Sequence, residues 1–236
     1  SDPSDNATTG IWEIGAPLGS YDNPNNLSGI VQTATQHTSG GYACAFTENA
    51  SSVNDGIGAN DVDGGHTTLF SPFYNLSSYT NPAFSYWRWY TNNPSSGANP
   101  GADWWQVMIT DDGVNWQYVE NTKSSDLSWR RCAFRIKDYV NLTSSVQLKF
   151  IASDSLRPGT YLDGGSLIEA AVDDLYLYES VDNGTGVDLI DNLFVEPKLI
   201  RVTDYLGREV NPSNTNGIKN LIYYYDDGTV NKRLIY

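Results

Sequence analysis

From Val146 the chain alternates: Val146, Leu148, Phe150 and Ala152 are apolar, and the intervening Gln147 and Lys149 are polar. Successive side chains of an extended strand leave opposite faces, so this stretch can bury one face only. Its register is fixed, because a slip of one residue would turn every apolar group to water. Similar short runs occur at 11–14, 42–48, 66–73, 84–91, 104–110, 116–120, 129–136 and 169–178, bounded by Gly, Asn, Asp or Pro. This punctuation predicts about nine strands packed as a β-sandwich, and no stretch argues for a long helix.

Composition agrees. The chain is rich in Tyr, Trp, Thr, Asn, Gly and Ser and has a single Met, a balance that favours pleated sheet. Asp111-Asp112-Gly113 lies between two apolar runs and predicts a hairpin turn, with Asp capping the backbone and Gly supplying a positive φ. After Tyr178 the pattern stops, and 179–186 is polar and Gly-containing, as a linker is. The expected organisation is a sandwich over 1–180, then a linker and a small antiparallel β unit over 181–236. Strands at 198–202, 221–225 and up to Tyr236 and turns at 206–209 and 226–229 would build that unit. So small a unit buries little apolar surface and is expected to lean on a neighbour.

A net charge of −14 disfavours nucleic acid as a partner and favours cations. No apolar run reaches membrane-spanning length, and Ser1-Asp2-Pro3-Ser4 lacks the features of a signal peptide, so an exported protein would have lost its signal or carry it upstream. Asn-x-Ser/Thr sequons begin at Asn6, Asn26, Asn49, Asn75, Asn141 and Asn183, and chance explains them in so Asn-, Ser- and Thr-rich a chain. Cys44 and Cys132 both fall in strand-like runs; a disulfide between neighbouring strands and two buried thiols are both open.

Asn60-Asp61-Val62-Asp63-Gly64-Gly65 sets alternate carboxylates before glycines that let carbonyls turn to a shared point, which suits Ca²⁺. Asp173, sharing a strand face with Leu175 and Leu177, needs a counter-charge if it faces the core; Asp174 would point the opposite way, with Tyr176 and Tyr178. Glu13, between Trp12 and Ile14, is the fourth expected ligand, and Asp55 a lesser one. Solvated loop acids are the bland alternative for all of them. Trp87-Arg88-Trp89-Tyr90 and Trp104-Trp105 are dense in rings that could stack on sugars, with Arg88 adding cation–π attraction. About half of such rings must be core, which leaves Trp89, Trp104 and Trp105 as candidate glycan contacts; of the consecutive pair, one is expected outside.

Catalysis finds little support. His37 and His66 are the only histidines, and neither His-Glu-x-x-His nor Gly-x-Ser-x-Gly occurs.

Gly10-Ile11-Trp12-Glu13-Ile14-Gly15-Ala16-Pro17, 61–72 and Tyr86-Trp87-Arg88-Trp89-Tyr90 together resemble the jelly-roll modules, related to MAM and concanavalin-like domains, that accompany secreted bacterial metallocarboxypeptidases. The resemblance covers 10–180, with Val172-Asp173-Asp174-Leu175 as the last strand. It implies an all-β jelly roll holding a structural calcium on Glu13, Asp61, Asp63 and Asp173. His66 stands where relatives carry a cysteine that would pair with Cys44, which leaves Cys44 free or redirected to Cys132. Further on, 198–210 and 225–233 are similar to type IX secretion sorting tails of Bacteroidetes, Asp204-x-Leu206-Gly207-Arg208-Glu209 being the telling stretch, though the usual upstream proline-containing strand is short here. These resemblances imply a non-catalytic calcium-binding module, extracellular or at the outer cell surface, with the type IX machinery as a partner. A surface adhesin assembling through its C-terminal β unit and a carbohydrate-binding module are the alternatives.

Overall fold

The computed structural model describes residues 2–25, 27–38, 40–92, 100–154, 166–180, 199–204, 208–210, 219–225 and 230–235. The linker after Ser180, the turn residues 206–207 and 226–229 and the sequons at Asn26 and Asn183 lie outside them. Contacts divide the chain into two units, Ser1–His37 with Tyr42–Asp182, and Thr38–Gly41 with Asn183–Tyr236.

Among the described residues the first unit has eleven strands: β1 (Trp12–Gly15), β2 (Ser20–Asn23), β3 (Ser28–Gln32), β4 (Cys44–Thr47), β5 (His66–Phe70), β6 (Pro82–Thr91), β7 (Trp104–Thr110), β8 (Gln117–Thr122), β9 (Asp126–Arg135), β10 (Gln147–Ser153) and β11 (Glu169–Glu179). They form a jelly-roll sandwich, one sheet ordered β1-β4-β11-β6-β9, the other β5-β10-β7-β8, with the hairpin β2-β3 beside them. Their pairings are antiparallel throughout. β7 runs over the residues its alternation predicts, Trp105, Val107 and Ile109 buried and Trp104, Gln106 and Met108 turned outward. At the β7–β8 turn, Gly113 takes φ +74° and Asp112 accepts from the Val114 and Asn115 amides at 2.8 and 2.7 Å, which holds its carboxyl below the ordinary range.

Between the sheets, Tyr86 meets Phe150 edge-on at 5.1 Å and Tyr90 meets Trp105 at 5.7 Å. Arg88 is buried in the same layer, 1% exposed, its Nε 3.1 Å from Glu120 Oε2. Glu120 also accepts from the Tyr86 hydroxyl and from Trp105 Nε1. The other side of β6 is covered as well: Ile30 of β3 packs on Cys44, Phe46, Trp89 and Ala171. That double cover is why the run around Tyr86–Tyr90 lacks alternation. The β2–β3 hairpin itself is too polar to register as apolar alternation.

Cys44 and Cys132 are both unbonded thiols, so of the two open alternatives the structure has separate thiols and not the possible disulfide. β4 and β9 are separated by β11 and β6, so their backbones stand about 14 Å apart, beyond the reach of a disulfide. Burial pushes both thiols up to about 12.

The second unit is a three-stranded antiparallel sheet, β12 (Leu199–Asp204), β13 (Lys219–Tyr225) and β14 (Val230–Ile235), in that order. Val202, Leu221 and Tyr223 are buried in it, with Val210 packed against them, and Arg208 clasps Asp204 Oδ2 at 2.7 Å.

Candidate functional site

Three places gather the chemically expressive side chains of the sandwich, and they divide the expected site residues among them. The first is on the five-stranded sheet. A register shift in β11 between Asp173 and Tyr176, with Asp174 at φ +51°, inserts an extra residue and re-aims the side chains beyond it. The two aspartates therefore converge, against the expectation that they point opposite ways: Asp173 Oδ2 accepts from the His37 amide at 2.8 Å, and Asp174 Oδ2 lies 2.7 Å from His37 Nδ1. The His37 ring is stacked 3.8 Å above Trp87 and meets Trp129 edge-on at 5.9 Å. Asp173 thus fastens the chain after β3 to the sheet. Trp89 lies beneath this cover, its Nε1 donating to the Val31 carbonyl at 2.8 Å.

The second place is the acidic loop. Asp61 is 2% exposed, its Oδ2 accepting from the Ile168 amide at 3.3 Å; Gly64, at φ +75°, donates its amide to Asp154 Oδ2 at 3.1 Å. Burial, then the charges of Asp63 and Asp154, push the Asp61 carboxyl up to about 7. The loop carbonyls do not turn to a common point as expected: those of Asp61 and Asp63 accept from Thr9 Oγ1 at 2.8 Å and the Thr8 amide at 2.8 Å. Glu13 and Asp173 do not join them. Trp12 points inward, its Nε1 bonded to the Thr67 carbonyl, so Glu13 faces out and is exposed. From Ile168 to Asp173 the extended chain covers about 16 Å. Among the described residues no group of three or more His, Cys, Asp or Glu side chains is placed to hold a metal ion, and the expected quartet does not assemble: Asp61 lies by the start of β11, Asp173 at the bulge in its middle and Glu13 on an outer face.

The third place is the outward face of the four-stranded sheet. Trp104 is partly exposed, with Lys123 Nζ 4.8 Å from its ring centroid. Two residues on, Gln106 Nε2 donates to Asn121 Oδ1 at 3.0 Å and to the Tyr118 hydroxyl at 3.4 Å, and Tyr118 is 50% exposed. Asn121 and Tyr118 stand directly across β8 from Gln106 and Met108. At the other end Trp116 packs on Phe70, with Lys149 Nζ 4.5 Å from its ring. Trp104 to Met108 spans about 13 Å of strand, the reach of a short oligosaccharide rather than one sugar.

Of the three tryptophans expected to touch glycan, only Trp104 has a face to offer. Trp105 is fully buried and Trp89 is 6% exposed; the inter-sheet core takes one and the hairpin cover the other.

No protein-family model and no curated protein matches the chain. Several solved structures are distantly similar to it, three of them as follows. TmCBM61 in complex with β-1,4-galactotriose is 10% identical, with 74% of this chain and 86% of that one covered at a TM-score of 0.35. The Clostridium thermocellum xylanase 10B CBM22-1–GH10 modules complexed with xylohexaose are 10% identical over 64% and 24%, at 0.33. A family 16 carbohydrate-binding module is 13% identical over 60% and 79%, at 0.29. These likenesses are too distant to carry an argument.

The residues that sequence reasoning missed are Gln106, Tyr118 and Asn121. Their signal was present, since Gln106 alternates outward with Trp104, but the pairing of β7 with β8 had to be known to bring Asn121 and Tyr118 alongside. Cys44, near enough to Asp173 for that charge to act on it, does not make a nucleophile with His37: burial pushes its thiol up to about 12, so at neutral pH the thiolate is negligible. Among the described residues no helix is long and apolar enough to cross a membrane.

Proposed function

We propose that the sandwich is a non-catalytic carbohydrate-binding module working outside the cell, and that the outward face of β7 and β8 takes the glycan. The observation that carries this reading is the partly exposed Trp104 ring beside the Gln106–Asn121–Tyr118 hydrogen-bond group. A pyranose offers an apolar C–H face and a rim of hydroxyls; the ring suits the first, and the amides, each able to donate and accept, suit the second. Strands hold these groups rigidly, so little ordering is needed on binding. The test is a glycan array probed with the intact chain and with Trp104→Ala. Binding that depends on Trp104 supports the reading; no glycan bound, or binding indifferent to Trp104, sinks it.

A calcium ion at the acidic loop is a second proposal, favoured by Asp61. Burying its carboxylate against Asp63 and Asp154 is unfavourable unless a cation or a proton compensates. Among the described residues no three carboxylates stand ready as ligands, so the ion would have to draw Asp63 and Asp154 in beside Asp61, complete its shell with water and so tie the loop to the end of β10. Melting in millimolar Ca²⁺ and in chelator decides it: a ligand at 100 times its Kd stabilises by about 2.7 kcal/mol, whereas identical curves remove the ion.

A further inference from the structure

The chain has 28 acidic and 14 basic residues, yet the glycan face presents cations at both ends. Lys123 lies over Trp104 at 4.8 Å and Lys149 over Trp116 at 4.5 Å. Between them Gln106, Met108, Tyr118 and Asn121 are uncharged. The acids adjacent in sequence are withdrawn from the face: Asp103, beside Trp104, is fully buried, and Glu120 is turned inward, where Arg88, Tyr86 and Trp105 engage it. Asp2 bonds Lys149 Nζ at 3.5 Å and offsets part of that charge; Lys123 is exposed.

We propose that the glycan is acidic, a chain of uronate residues whose carboxylates meet Lys123 and Lys149 while its rings lie on the strip from Trp104 towards Trp116. This rests on the glycan-face reading and narrows it. A cation over a partly exposed ring is weakly held, so the Lys123 ammonium can leave its indole for a sugar carboxylate, whereas Lys149, 14% exposed, would exchange Asp2 for one as well. The remaining negative charge of the chain does not forbid this: the screening length at physiological salt is about 8 Å, so charges on other faces are damped while the two lysines stand within contact distance. Lys149 is opposite Met108 in the sheet, which sets the two cations about 13 Å apart along the strand. Two carboxylates of one short oligosaccharide can meet both, whereas a single uronate cannot.

The test is calorimetric titration of the intact chain with trisaccharides of galacturonate, mannuronate and glucuronate, each also as its neutral methyl ester, alongside a panel of neutral glycans. At least one acid form is expected to bind five- to tenfold more tightly than its ester, with the preference lost in 0.5 M salt. Lys123→Gln should cost the acid form about fivefold more than it costs the ester; Lys123→Arg should restore the preference. Equal affinity for acid and ester, or binding confined to neutral glycans, overturns the acidic class and leaves the glycan face standing. Absence of binding to every glycan overturns both.

Discussion

Arg88 and Glu120 allow the energetics of the sandwich to be tested without reference to function. Arg88 is 1% exposed and Glu120 17%, so the pair is largely removed from water, and Asp126 Oδ2, 4.0 Å from Arg88 Nη2, is a poor substitute partner. Removing one member of a buried pair costs about 3–5 kcal/mol, because the other charge is left behind. The two removals should differ. Arg88→Met leaves Glu120 with the Tyr86 hydroxyl and Trp105 indole still donating, and a lone carboxyl can take up a proton, so the cost should sit near the lower bound, about 3 kcal/mol. Glu120→Leu strands a guanidinium that cannot shed its charge and removes the acceptor of two further donors, so about 5 kcal/mol is expected. The double variant leaves two neutral donors and no charge, which costs about 2 kcal/mol. Urea unfolding followed by tryptophan fluorescence gives all three values from midpoints and slopes. A double variant as unstable as the sum of the singles, or Arg88→Met costing under about 1 kcal/mol, would refute the reasoning.

Two other expectations concern the five-stranded sheet. His37→Ala removes the Asp174 contact and the stack on Trp87 and should destabilise the sandwich by about 1–2 kcal/mol; an unchanged urea midpoint would show that the chain after β3 is not fastened there. Both thiols should resist a disulfide reagent at pH 8 in the folded protein, since each is pushed up to about 12, and two equivalents should react in urea without reductant. Fewer than two in urea would mean a disulfide.

Strands were readable wherever one face alone is buried, as in β7 and β10, because period-two alternation comes directly from that geometry. β2 and β3 were not readable: Ser20-Tyr21-Asp22-Asn23 and Ser28-Gly29-Ile30-Val31-Gln32 cover a sheet mostly with polar groups. Their burial is offset by hydrogen bonds such as Gln32 Nε2 to Glu169 Oε2 at 2.7 Å, which no periodicity records. The facing of Asp173 and Asp174 failed for another reason. Parity along a strand holds only until a bulge, and a single residue at positive φ reverses every assignment beyond it. The consecutive pair Trp104-Trp105 did announce that one ring is outside, but which one depends on the sheet that packs against β7. Expecting Glu13, Asp61, Asp63 and Asp173 to meet was a statement about distance, and sequence spacing holds no distance between strands.

The glycan face is tested most directly by titrating the intact chain, Trp104→Ala and Tyr176→Ala with the best-bound oligosaccharide of the array. Tyr176 is 59% exposed on the five-stranded sheet and serves as the control aromatic. Trp104→Ala should weaken binding at least about tenfold, equivalent to about 1.4 kcal/mol, with its melting temperature little changed, and Tyr176→Ala should bind as the parent does. Undiminished binding by Trp104→Ala, or a loss confined to Tyr176→Ala, would contradict the assignment and move the site to the opposite sheet.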